Sequence, residues 1–247
     1  MEPPTDAGPG GRQWKRWLDT LATVAVIVAS GSVIWFVATR NDRPSRTAGS
    51  RDNATEPPLP SRKLSTAGPG VAGRTTARAA LILYSDFECP FCKKFGSEVW
   101  PVLREKYVQS GQLLVVFRQL PIEQLHPKAV RAAAGAVCAG LQGKFWEMHD
   151  LLFGKRFEDG DLAKHSTTLG LEPVRFDRCL TKEGPAIVER DREEARELGI
   201  TGTPTTFIGA LDADGMMLPK VRVSGARPLQ EFDTALQRFV QASVPER

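Results

Sequence analysis

Clustering is what this 247-residue sequence lacks. Its 33 lysines and arginines stand against 29 aspartates and glutamates, a net charge of +4, and the basic residues are spread along the chain beside acids, as in RDREEARE. A nucleic-acid partner calls for cations gathered on one face, so that class is set aside. Histidine is scarce, and His126, His149 and His165 make no paired spacing of the kind that zinc ligands show. No internal repeat is visible. Cysteine is limited to four, an even number that permits two disulfides and leaves no thiol obviously spare.

One long apolar run is present. Residues 1–17, opening MEPPTDAGPGG, are rich in proline and glycine and read as a disordered tail. Residues 18–39, LDTLATVAVIVASGSVIWFVAT, carry a single charge, Asp19, near one end. That length suits the roughly 20 residues that cross a hydrocarbon core. Trp14, Trp17, Trp35 and Phe36 fall at its two ends, where aromatic rings favour the headgroup zone. A cleavable signal has a shorter apolar stretch followed by a small-x-small site, and no convincing site follows here. The segment is expected to be an uncleaved transmembrane anchor. Arg12, Lys15 and Arg16 precede it and Arg40, Arg43 and Arg46 follow, so the positive-inside balance leaves orientation open. Residues 40–73, rich in Pro, Gly, Ser, Thr and Arg, read as a flexible linker.

A domain is expected over residues 74–247. ARAALILYSDF reads as a central strand covered on both faces. CKKFGSEVWPVLREKYV then shows helical spacing, with a kink expected at Pro101, and QLLVVFRQLPI reads as a second strand. Strand, helix and strand in that order make a βαβ unit with parallel strands. From His126 to about Leu198 the pattern is helical. TPTTFIG returns to strand, DADG makes a turn, KVRVSG supplies an antiparallel partner, and PLQEFDTALQRFV closes the chain as a helix.

Between the first strand and its helix stand Cys89 and Cys92, in SDFECPFCKKF. Two cysteines at that spacing can bind metal, staple a turn or pass electrons. Zinc needs four ligands, usually in two close pairs, and Cys138 and Cys179 are remote from the first pair and from each other. A staple enclosing so small a loop stabilises little. Redox chemistry remains. The head of a helix presents unpaired N–H groups and partial positive charge, which favour a thiolate at Cys89. Cys92, one turn further in, is the expected resolving thiol. A cysteine pair opening the helix of a βαβ unit reads as a thioredoxin-like redox motif. No organic cofactor and no metal is called for.

SDFECPFC, AAAGAVCAGLQGKFWEMHDLLF and GITGTPTTFIG, in that order, resemble the DsbA-like branch of the thioredoxin superfamily, over about Ala79 to Phe239. The resemblance implies an α/β thioredoxin-like fold with a helical insertion at about residues 124–198. It implies that Thr203 and Pro204 form a cis-proline loop lying against Cys89, where the Thr203 backbone pairs with an extended substrate beside Pro90 and Phe91. It also implies a structural disulfide between Cys138 and Cys179. That bond needs an oxidising compartment, so the domain is expected on the outer side of the membrane, periplasmic or extracellular. One departure is Phe91, where the family's strongest oxidants have histidine. A phenyl ring cannot donate to a thiolate, and Glu88 would oppose the anion.

The expected function is disulfide exchange with protein thiol and disulfide substrates, with electrons leaving to a membrane redox partner. The alternatives are a reductase or isomerase of the same fold, or a thioredoxin-fold binding module or chaperone with an idle cysteine pair. Asp86 and Glu88 are candidate proton acceptors for Cys92, set against solvated loop acids. His126, just after the second strand, could approach the site. His149, beside aromatics, reads as packed.

Overall fold

A computed structural model of the chain describes residues 58–154, 157–158 and 160–241. The anchor expected over residues 18–39 lies outside the described residues. Among the described residues, no helix is long and apolar enough to cross a membrane.

The centre of the molecule is β3 (Ala79–Ser85), in which every residue is buried. The uninterrupted apolar run AALILY allows this, because a strand covered on both faces has no side left for polar alternation. β3 pairs in parallel with β4 (Leu113–Gln119) and antiparallel with β5 (Thr205–Ala210). β2 (Val71–Ala72) and β7 (Val221–Ser224) close the edges, giving the order β2-β4-β3-β5-β7. Side chains alternate across the sheet. Ala79, Leu81 and Leu83 face the larger core with Phe95, Phe117 and Phe232. Ala80, Ile82 and Tyr84 face the smaller one with Leu198, Ile200 and Phe207.

The helical connection from β3 to β4 runs over residues 90–108. It begins with α1 (Pro90–Lys94), widens into a π segment over Phe95–Val99, tightens in α2 (Trp100–Leu103) and widens again over Arg104–Val108. The break expected at Pro101 thus takes the form of π turns. Proline offers no N–H to the preceding turn, and the Trp100 N–H before it reaches back five residues to Phe95 O.

Among the described residues, five helices separate β4 from β5: α3 (Ala129–Gly140), α4 (Phe145–Gly154), α5 (Asp161–Thr168), α6 (Pro173–Thr181) and α7 (Glu183–Glu197). Cys138 of α3 is bonded to Cys179 of α6 across 41 residues. A Cβ on Gly184 would lie 2.9 Å from Cys138 Sγ, so only glycine lets α7 start this close to the bond. α7 returns to the sheet, where Glu194 accepts from Tyr84 Oη at 2.7 Å and the Arg118 guanidinium lies 3.3 Å away. α8 (Leu229–Val240) closes over the larger core through Phe232 and Leu236.

Two elements differ from the sequence reading. The linker assigned to residues 40–73 ends early, because β1 (Leu64–Ser65) and β2 belong to the sheets. Leu64 is buried, Arg118 donates to Ser65 O at 2.7 Å and to Ala67 O at 2.9 Å, and β2 pairs with Val115 and Val116. These anchors come from β4, so the segment's own composition does not reveal them. The hairpin from β5 to β7 also contains β6 (Met216–Met217), which turns aside to pair with β1. Asp212 makes that turn by accepting from Asp214 N and Met216 N.

Candidate active site

Because β3 and β4 are parallel, their C-terminal ends emerge side by side, and Leu120 N bonds Ser85 O at 2.9 Å. The chain turns at Asp86–Glu88 and enters α1 with Cys89 as the capping residue, in extended conformation, and Pro90 in the first turn. Proline suits that place, since its missing N–H would have had no helical partner. Cys89 O starts the helix by accepting from Lys93 N at 3.0 Å. Cys92, one turn on, lies beneath it.

Both cysteines are free thiols. Cys89 keeps 5% of its surface and Cys92 1%. The Cys89 thiol donates to Thr203 O across 3.5 Å, and Asp86 N donates to Cys92 Sγ at 3.4 Å. Thr203–Pro204 is a cis peptide. Thr203 Oγ1 is buried without a partner, ready to donate once Cys89 is an anion. Pro90 is exposed and Phe91 is 61% exposed, so the surface beside Cys89 is apolar and open.

The two thiols differ sharply in acidity. Cys89 is lowered from an ordinary 9.0 to about 5. The largest cause is the hydrogen bond from the Cys92 thiol; burial opposes it, and Thr203 and the N–H groups of Cys92 and Phe91 add to it. The helix-head amides thus contribute, and the partner thiol outranks them. Cys92 is raised well above 9.0, first by burial and then by donating its proton to Cys89.

A stability prediction follows from this asymmetry. Cys89 has its folded acidity constant depressed, so between pH 5 and pH 9 the unfolded chain holds a proton that the folded reduced protein has released. The stability of the reduced form should therefore rise with pH through that window, by about 3 kcal/mol from below pH 5 to pH 7. It should be lost as pH falls through about 5. Cys92 is protonated in both states at neutral pH and contributes nothing there. Urea unfolding of the reduced protein against pH checks this, with the oxidised protein as a control that has no such thiol to titrate.

The turn before Cys89 is held by acids. Asp86 is buried, and its carboxylate accepts from Glu88 N and Ile122 N, each at 2.8 Å, and meets His126 Nδ1 at 2.7 Å. Glu88 accepts from Lys128 N at 2.6 Å, which turns its carboxylate toward the start of α3. Neither is a solvated loop acid. Sequence reasoning left His126 beside the site without a partner. The available signal was topological, since residues after two parallel strands emerge together. His149 is buried among Phe87, Phe117, Trp146 and Phe153, and burial lowers its basicity, which suits packing rather than proton transfer. Cys138 and Cys179 lie in the insertion, apart from this site.

The family profile described as Thioredoxin matches residues 65–217. The Na(+)/H(+) antiporter NhaA 1 of Mycolicibacterium vanbaalenii is 34% identical over 150 residues, 59% of this chain and 24% of that protein. This chain thus spans about a quarter of the antiporter's length. Disulfide bond formation protein D of Bacillus subtilis is 29% identical over 155 residues, 57% of this chain and 68% of that protein. Among solved structures, alpha-DsbA1 of Wolbachia pipientis has a TM-score of 0.60 at 23% identity, covering 75% of this chain and 94% of that one.

Proposed function

From the premise that this chain belongs to the thioredoxin family, we propose that it is a DsbA-like thiol–disulfide oxidoreductase that oxidises protein thiols through Cys89 and Cys92, outside the cytoplasm and tethered by residues 18–39. The observation that carries this reading is the acidity difference between the two sulfurs. A reduced pair whose outer thiol rests as an anion is a stabilised product, and a stabilised reduced form makes the disulfide form an oxidant.

A substrate thiolate attacks Cys89 Sγ of the Cys89–Cys92 disulfide, and Cys92 departs and takes up a proton. A second substrate thiolate then attacks the substrate sulfur of the mixed disulfide. The substrate leaves oxidised, and Cys89 leaves as a thiolate. Two electrons have passed from substrate to protein, and a membrane redox partner must remove them. Thr203 and Pro204 line the sulfur and offer main-chain pairing to an extended substrate. Phe91 and Pro90 offer it an apolar shelf. The outward placement rests on the Cys138–Cys179 bond, which an oxidising compartment maintains. The tether rests on the apolar run at residues 18–39.

The reading is tested by Cys92→Ser. Without the resolving thiol, Cys89 should accumulate as a mixed disulfide when the variant meets an oxidised protein or a small disulfide. Non-reducing electrophoresis and mass analysis detect the adduct. No adduct at Cys89 under conditions that label other exposed thiols would remove the exchange reading.

A further inference from the structure

The site contains an ionisable pair that disulfide exchange, as derived above, does not use. The Asp86 side chain is 0% exposed and the His126 side chain 17%. Asp86 Oδ1 accepts from Glu88 N, and Oδ2 accepts from Ile122 N while meeting His126 Nδ1 at 2.7 Å. An ionised carboxylate can only accept. Facing it, the imidazole carries its hydrogen on Nδ1 and leaves Nε2 to take a second proton. The partial exposure of His126 lets that proton come from solvent.

Asp86 also touches both cysteines through its main chain, one at the sulfur and one at the backbone N–H. Its N–H donates to Cys92 Sγ at 3.4 Å, and its carbonyl accepts from Cys89 N at 3.2 Å. The buried carboxylate thus belongs to the residue whose main chain joins the two cysteines, in a covered site where charges act strongly. An uncompensated carboxylate there opposes a thiolate.

We propose that His126 and Asp86 form a charge-compensating pair that sets how readily Cys89 ionises. The imidazolium cancels the buried carboxylate, and the neutral imidazole leaves it to oppose the thiolate. No bond to sulfur forms or breaks. One proton is taken from or returned to solvent at Nε2, and both residues act as positioning residues. The inference rests on the reading of Cys89 as the reactive thiol.

The other charges around the pair do not replace it. Glu88, from the same turn, is engaged by Lys128 N, and the Lys128 ammonium is bonded to Glu158. Glu123 lies on the loop that carries His126, and Lys93 and Lys94 lie on α1. Among the described residues, His126 is the one side chain in contact with the Asp86 carboxylate that can become a cation.

The test measures the alkylation rate of Cys89 against pH in the reduced full chain, with no substrate. In the wild type, the rate should show a second inflection besides the one that Cys89 itself gives. His126→Gln should erase that inflection and move the main midpoint upward, slowing alkylation at mildly acid pH by roughly three- to tenfold. His126→Lys, a permanent cation, should keep the midpoint at or below that of the wild type and also lose the inflection. Asp86→Asn added to His126→Gln should bring the midpoint back toward the wild type, because the uncompensated charge is gone. A purely structural role predicts the opposite for that double variant. If Asp86→Asn does not fold, the two His126 variants decide. The proposal is overturned if His126→Gln keeps both midpoint and inflection, or if His126→Lys behaves like His126→Gln. An acidic Cys89 that ignores His126 removes only this pair. A Cys89 that ionises like a free thiol in the wild type removes the exchange reading itself.

Discussion

Replacing Cys89 by serine is expected to reduce catalysed disulfide exchange to the uncatalysed rate, a loss on the order of a thousandfold or more, while leaving the fold intact. A hydroxyl at this position stays protonated at any physiological pH and cannot form a disulfide. The stabilisation that depends on an anion disappears with the sulfur. Serine is close in size to cysteine, and Cys89 is a capping residue whose side chain makes no cap hydrogen bond, so the start of α1 survives. The readout is reduction of insulin or oxidation of a reduced peptide, alongside a denaturation curve. In the same variant the pH dependence of reduced-form stability should fall to that of the oxidised protein. Full exchange activity in Cys89→Ser would take this residue out of the mechanism.

The second large effect concerns the insertion. Cys138 and Cys179 close a loop of 41 residues. In the chain-entropy account, a loop of that length restrains the unfolded state by about 4 kcal/mol. The double variant Cys138→Ala, Cys179→Ala should lose about that much, a fall in midpoint temperature of roughly 10 °C for a domain of this size. Both residues are buried, and Gly184 lies against the bond, so the cavity left by the sulfurs adds to the cost. Cys89 should ionise as before, because nine residues of α3 stand between Lys128 and Cys138. Equal unfolding midpoints for the double variant and the wild type, both in non-reducing urea, would show that the bond restrains nothing.

The strands were legible where burial left a plain pattern. AALILY could only be a doubly covered strand, and β4 and β5 stand where the apolar runs LLVVF and TTFIG lie. The segment over residues 64–72 was hidden because it is held by groups belonging to others, the Arg118 guanidinium and the edge of β4. The π turns around Pro101 were half legible. Proline announces an interruption, but the neighbours decide how the backbone takes it up.

The site divides along the same line. The spacing of Cys89 and Cys92, behind a strand and ahead of a helix, needs only local chemistry to suggest a reactive thiol and a resolving one. The sequence alone therefore determined the central strand, the cysteine pair and the order of the helices and strands around it. Two things came only from the tertiary structure. Thr203 from a loop more than a hundred residues away meets the Cys89 sulfur, and His126 closes on Asp86. The reason is physical. Propensity and periodicity act between neighbours in the chain, whereas hydrogen bonds and charge interactions act between neighbours in space. Here the pairing of β3 with β4 and β5 makes distant residues neighbours.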